Sequence, residues 1–426
     1  MGKKAKRTNW QKLDNTANLF PAIATHTMTN VYRISVDLDE EIDRKILQKA
    51  LDMILPEIDT FNVHMRKGVF WYYFETNNKR APFVEIENDY ACRYIEPYPN
   101  NNYLFRVTYY KKRINLEVFH VLADGMGGIN FLRELAYQYL RIKHPELAQQ
   151  ERDGLSDATS LNTEDSYLKN YRKSHAKGYK TARAFEVKGE KLFAGELGVI
   201  HGIMPLEDVK KVCKHFGVSI NEYLVGVMTY SIYCECLHKQ LSARPVVTCV
   251  PVNLRPFFNS MTTRNFFVMV SSLFEADKDD YTFEEVLAKV KDSLRSQINK
   301  EHLEELFSYN VSNQKNIFLR FVPFFIKKLA MRFVYRSSAK AGTTTLTNIG
   351  SIDIDDAYKD YIKRFYTMIS VSTGQNIKGA VVSYNGELVF TFTSILADVS
   401  VQRCFFSLLA QHGIEVTIES NGVYYE

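Results

Sequence analysis

Long apolar runs are missing from this chain. Nowhere do about 18 uncharged apolar residues stand together, the length a membrane-crossing helix requires, and no apolar stretch near the first residues is long enough for a secretory signal. A cytoplasmic location is the expectation. Cysteines are few, 6 in 426 residues, and they are scattered, which fits reduced thiols rather than a disulfide frame. Cys234 and Cys236 form a lone C-x-C, too little for a metal site, so no metal is expected. An excess of one charge is missing as well. The net charge is +5, but Lys3, Lys4, Lys6, Arg7 and Lys12 all precede the first acidic residue, leaving 49 basic residues against 49 acidic in the rest. A neutral body argues against a broad groove for a nucleic-acid backbone, so nucleic acid is not an expected partner. Residues 1–12 read as a basic disordered tail.

Aromatic residues, in contrast, are abundant. They make up 13% of the chain, with 28 Phe and 26 Tyr, enough for large apolar walls around a core or an organic ligand. Apolar alternation through Val31, Ile34 and Val36 gives way to helical spacing through Ile42, Ile46, Leu47, Ala50 and Leu51, a strand followed by a helix. Further strands are predicted at "VFWYYFE", "NYLFRVTYY" and "INLEVFH", and a helix at "INFLRELAYQYLRIK". The chain turns polar over 151–190, which reads as a surface crossover. Beyond it the same vocabulary returns: a strand at "GVIHGIM", a capping box of Ser219 and Glu222, strands at "PVVTCVPVNLRPF" and "NFFVMVSSLF", and a hairpin turning at Asn385-Gly386. The reading is α/β, with one lobe over 13–150 and a similar one over 191–426.

The stretch "EVFHVLADGMGG", Glu117 to Gly128, concentrates the chemistry. By the period of two, His120 continues the inward row of Ile114, Leu116 and Val118. A desolvated imidazole there would stay neutral near pH 7 and act as a proton acceptor. Asp124 follows four residues on, with its direction left open by the intervening turn. Gly125, Gly127 and Gly128 would let that turn be tight and let a substrate approach the backbone.

His120 to Gly125, "HVLADG", resembles the H-x-x-x-D-G motif of chloramphenicol acetyltransferase-like acyltransferases, a superfamily that includes condensation domains and alcohol acetyltransferases. "VPVNLRPF", Val250 to Phe257, is similar to the proline and arginine segment of the alcohol acetyltransferase and wax ester synthase branches, and "TNIG", Thr347 to Gly350, adds a third match. Phe119 departs from condensation domains, which usually carry a histidine there. The resemblance implies two α/β sandwich lobes with a tunnel between them, and an acyl group moved from a thioester to an alcohol or amine. It implies His120 as general base, and Asp124 as a structural residue that pairs with Arg255 of the second lobe. Gly125 belongs to the same motif. Acyl-CoA is the implied co-substrate, with a carrier-protein thioester as the other donor and no tightly bound cofactor. Oxyanion or substrate contacts are expected from Asn348, Thr393 or Ser394, where polar residues interrupt apolar strands.

"NIFLRFVPFFIKKLAMRFVYR", Asn316 to Arg336, mixes large apolar residues with basic ones, and Pro323 should break or kink it. One expectation is a helix packed on its own lobe with basic ends in water. The functional ones are a roof over an acyl channel, peripheral contact with a membrane surface, and Lys327, Lys328 and Arg332 as ligands for the phosphates of coenzyme A. The expected partners are a small-molecule acyl donor and acceptor acting on a monomer. The competing function class is a non-catalytic member of the same fold that binds a ligand or a partner.

Overall fold

Period-two strands and 3.6-period helices assemble into two layered lobes. The computed structural model describes residues 10–148, 155–173, 182–315 and 322–424. Its strands are β1 (Trp10–Lys12), β2 (Val31–Leu38), β3 (Val63–Lys67), β4 (Tyr72–Thr76), β5 (Glu85–Ile86), β6 (Phe105–Tyr110), β7 (Arg113–Phe119), β8 (Gly198–Pro205), β9 (Val246–Asn253), β10 (Phe267–Phe274), β11 (Thr344–Ser351), β12 (Ile362–Ile369), β13 (Ile377–Tyr384), β14 (Glu387–Ser394) and β15 (Thr417–Ser420). Helices that shape the cores and the site are α1 (Phe20–Ile23), α2 (Arg44–Ile54), α3 (Gly125–Lys143), α4 (Ile220–Leu237), α5 (Arg255–Phe258), α6 (Phe283–Gln297) and α7 (Phe324–Ser338).

The first sheet runs β12-β2-β7-β6-β5 and the second β10-β9-β11-β13-β14-β8-β15, with a small sheet β1-β4-β3 beside the first. Tyr32, Ile34 and Val36 of β2 and Ile114, Leu116 and Val118 of β7 form one face, which α2 and α3 cover with Leu47, Leu51, Phe131, Leu132 and Leu135. Asp43 caps α2 by accepting from the Lys45 and Ile46 amides. In the second lobe α4 is mostly apolar with no single apolar side, and Tyr223–Tyr233 are buried along it almost without interruption, between the sheet and α6. Its capping box of Ser219 and Glu222 forms, and Glu222 also holds Arg295 at 2.7 Å. Each fully buried Leu or Phe in these cores contributes about 1.5–3 kcal/mol. The hairpin between β13 and β14 turns at Asn385 (φ 47°) and Gly386 (φ 78°), the two left-handed residues of a type I′ turn.

Several placements differ from the sequence reading. Residues 1–9 of the expected tail lie outside the described residues, but Trp10–Lys12 pair with β4 as β1. Within 151–190, residues 151–154 and 174–181 lie outside the described residues, and the rest is partly packed: Tyr167 is buried and donates to the Phe267 carbonyl at 2.7 Å. Strand β12, which falls in the stretch assigned to the second lobe, pairs antiparallel with β2 and so belongs to the first sheet. Pro323 precedes α7 as its N-cap, where its missing N–H costs nothing. Helix α7 packs on the first lobe rather than its own: the Phe324 N–H donates to Val69 O at 3.2 Å and its ring meets Tyr72 edge-on at 4.7 Å.

The second face of β7 is also buried. Glu117, which alternates with the apolar row and so faces the other way, is fully covered and pairs with Arg33 (2.9 Å) and with Arg106. Burial alone would raise its pKa, but the two guanidinium groups outweigh that and hold it below the usual carboxylate range.

Candidate active site

Strand β7 ends at Phe119, and the His120 amide bonds to Asn30 O at 2.9 Å, so the imidazole leaves the sheet at its edge beside the second lobe. Three rings enclose it: Phe20 of α1 stacks at 4.7 Å, Tyr32 meets it edge-on at 5.1 Å, and Phe267 of β10 lies tilted at 5.6 Å. Burial pushes the His120 pKa below its ordinary value and the charge of Lys378 pushes the same way, outweighing the opposing pull of Asp124 and Asn265. The imidazole is therefore neutral near pH 7.

Its tautomer follows from its neighbours. Nδ1 lies 3.0 Å from Oδ1 of Asn265, whose Nδ2 donates to His120 O at 3.2 Å and to Asp14 Oδ2 at 3.1 Å. Both of those partners are acceptors, so the amide orientation is determined and Oδ1 must accept. Nδ1 carries the proton. Nε2 has a free lone pair and no hydrogen-bond partner among the described residues. His120 lines a cavity of about 90 Å³ whose walls also include Gly125, Pro251, Phe267, Thr347, Asn348 and Ile349. The two open mouths that a tunnel requires are not seen among the described residues. A second cavity, about 710 Å³, is lined by Trp10, Leu13, Phe70, Trp71, Tyr72 and Tyr73. It is larger but, among the described residues, shares no lining residue with the first and contains no histidine.

Asp124 turns away from the imidazole and caps α3. Its carboxylate takes both arms of Arg255 at 2.8 and 2.9 Å, the Phe266 N–H at 3.0 Å and the Gly127 N–H at 3.3 Å. Arg255 also donates to Thr262 O and Arg264 O, at 2.9 and 2.7 Å. Rather than lying inside the apolar strand, Arg255 opens the single turn α5 after β9 has stopped at Asn253, whose Oδ1 accepts the Arg255 N–H. The pair thus crosses between lobes and sets the height of the His120 loop against β10.

The glycines serve packing rather than a tight turn, since Gly125, Gly127 and Gly128 lie in the first turn of α3 without positive φ. A Cβ on Gly127 would stand 2.2 Å from the Thr263 carbonyl of the second lobe, and one on Gly128 would stand 2.7 Å from the Tyr32 hydroxyl.

Of the other residues singled out, Asn348 lines the His120 cavity; its Oδ1 accepts from Gly350, which sits at φ 88°. Thr393 and Ser394 do not reach the cavity. Both are buried in β14, with Thr393 donating to Ile369 O at 2.8 Å and Ser394 accepting from the Leu396 amide at 3.0 Å. Lys327 is buried with its ammonium over the Trp71 ring at 3.6 Å, and Arg332 donates to Ala22 O at 2.7 Å, so both are engaged with the first lobe. Lys328 is half-buried nearby. None of the three lines the cavity beside His120. Sequence reading missed Asn265, Asp14 and Lys378. Burial pushes the Asp14 carboxyl up to about 7 and the Lys378 ammonium down to about 8. The one available signal was a polar residue, Asn265, before the apolar run of β10.

No protein family and no curated protein matches the sequence. Solved structures do match. Polyketide synthase associated protein 5 from Mycobacterium tuberculosis is 12% identical over 96% of this chain and 98% of its own, with a TM-score of 0.58. Trichothecene 15-O-acetyltransferase from Fusarium sporotrichioides is 9% identical over 96% of both chains, with a TM-score of 0.61. The starter condensation domain of rhizomide synthetase, solved with C8-CoA, is 10% identical over 94% of both chains, with a TM-score of 0.59. The chain has the two-lobed α/β fold of these condensation-domain and acetyltransferase structures.

Proposed function

We propose that this protein transfers an acyl group from an acyl-CoA thioester to a hydroxyl or amine, with Nε2 of His120 as the general base. The observation that carries the reading is that His120, bonded through Nδ1 to Asn265, lines a cavity together with Asn348: the Asn265 partners favour the proton on Nδ1, which leaves Nε2 as the basic nitrogen. As the acceptor oxygen or nitrogen attacks the thioester carbonyl, Nε2 takes its proton and the carbonyl electron pair moves onto oxygen. Collapse of the tetrahedral intermediate breaks the C–S bond, and the imidazolium returns the proton to the departing thiolate. Base catalysis of this kind contributes on the order of 10²–10⁴ in rate. Asn348, whose Oδ1 is already held by Gly350, has Nδ2 left to donate to the oxyanion. Similarity in fold to an O-acetyltransferase and to a condensation domain solved with C8-CoA supports the reading.

The test is incubation with a panel of acyl-CoA thioesters and alcohol or amine acceptors, read as free thiol, beside His120→Ala. Thiol release by the wild type that is lost in the variant is expected. Equal release by both, or by neither on any pair, overturns the transferase in favour of a binding member of the fold.

A further inference from the structure

Helix α7 shows its apolar side to solvent. Its 15 residues turn Phe324 and Lys327 inward, while Phe325, Ile326, Leu329, Phe333 and Val334 are 64, 45, 64, 77 and 63% exposed. Phe325, Leu329 and Phe333 recur every four residues and so form one row along the helix, with Ile326 beside it. Val69 and Phe70, exposed on the loop that α7 touches, extend the patch. A contiguous apolar patch of this kind marks an interaction surface.

Charge identifies the partner. From Glu305 to Asp353 the sequence has no intervening acidic residue, while Lys315, Arg320, Lys327, Lys328, Arg332, Arg336 and Lys340 are all basic. Arg336 and Lys340 are exposed near the end of the apolar row, and Lys67 and Arg332 lie near enough to Lys328 to add to the burial that lowers its pKa. An apolar row flanked by cations on an exposed helix matches a bilayer interface of anionic lipids. No helix among the described residues is long and apolar enough to cross a membrane, so the contact is with the surface.

We propose that α7 docks on the surface of an anionic lipid bilayer, with the Phe325–Leu329–Phe333 row in the headgroup boundary and Arg336 and Lys340 on the anionic headgroups. The placement has a use. Arg332 of α7 bonds to Ala22 O of α1, and α1 carries the Phe20 ring that stacks on His120, so the docked face lies one helix away from the imidazole. A lipid-soluble acceptor would suit that arrangement; this last step rests on the transferase reading, whereas the docking does not.

Vesicle flotation tests it without turnover. Full-length protein should float with phosphatidylcholine vesicles containing about 30 mol % phosphatidylglycerol and bind pure phosphatidylcholine at least about tenfold less. Phe325→Asp/Leu329→Asp/Phe333→Asp should lose about tenfold or more on the anionic vesicles, and Arg336→Gln/Lys340→Gln should lose the preference for them, with circular dichroism unchanged because all five side chains are exposed. Wild type that fails to float, or a triple variant that floats as well as wild type, overturns the proposal. So does a wild-type dimer in analytical ultracentrifugation that the triple variant converts to monomer, which would make a second copy the occupant of this face.

Discussion

Replacing Asp124 by asparagine keeps the shape of the side chain and removes its charge. In the native site the carboxylate accepts from two Arg255 nitrogens and from the Phe266 and Gly127 amides, and the two side chains are only 10 and 12% exposed. An amide would turn an NH2 group toward at least one of those donors, and Arg255 would keep a buried charge with no counter-ion. Breaking one member of a buried pair costs about 3–5 kcal/mol. At roughly 2–4 °C per kcal/mol for a unit of lobe size, Tm should fall by roughly 6–20 °C. Arg255→Ala should fall by a similar amount, and thiol release should fall with both because the His120 loop is no longer held against β10. His120→Ala is the reference: release is lost while Tm stays within about 2 °C. The assay is thermal melting and thiol release on the same preparations. If Asp124→Asn melted within about 2 °C of wild type while its rate fell by more than about 100-fold, Asp124 would be acting on the chemistry through His120 and the structural account would fail.

The pH profile of kcat/KM should have its acid limb below 6.5, the ordinary histidine value, because burial lowers the His120 pKa and the protonated ring is inactive; a limb at or above 6.5 contradicts the site. Asn265→Leu should cut kcat by about 10-fold or more by freeing the tautomer, whereas Asn265→Asp should move the acid limb upward by placing a negative charge on Nδ1–H, a shift that a purely structural role would not produce. Glu117→Gln should lower the denaturant midpoint by the equivalent of about 3 kcal/mol, since Arg33 and Arg106 lose their shared partner, with the pH profile unchanged; an unaltered midpoint would show that the trio contributes nothing net.

Local rules made part of this legible. Period two put Ile114, Leu116 and Val118 on one buried row, and Asn385-Gly386 and the Ser219 box carried their own turn and cap chemistry. Arg255 could be paired with Asp124 only through resemblance, because nothing within a strand pattern identifies a partner 131 residues away. Asn265, 145 residues from His120, gave no periodic signal at all. The helix at Phe324–Ser338 was legible as a helix, but which side it buries is decided by Trp71, Tyr72 and Ala22, which a helical wheel does not contain. Thr393 and Ser394 misled because polar residues in β14 looked like ligands, while backbone groups of Ile369 and Leu396 already used their hydroxyls.

The pairing of β12 with β2 has a consequence for biosynthesis. Strand β2 is made early, with β7 ready on one side, yet its other edge waits for Ile362–Ile369. More than 300 residues separate the two, roughly 15–65 s of translation at 5–20 residues per second. For that time eight residues of a largely apolar strand offer unpaired amides and carbonyls, the kind of edge on which chains aggregate. Residues 13–190 made alone should therefore precipitate rather than form a free-standing lobe, and supplying 191–426 as a second chain should rescue them. The lobe that leaves the ribosome first is thus completed only after most of the second has been made.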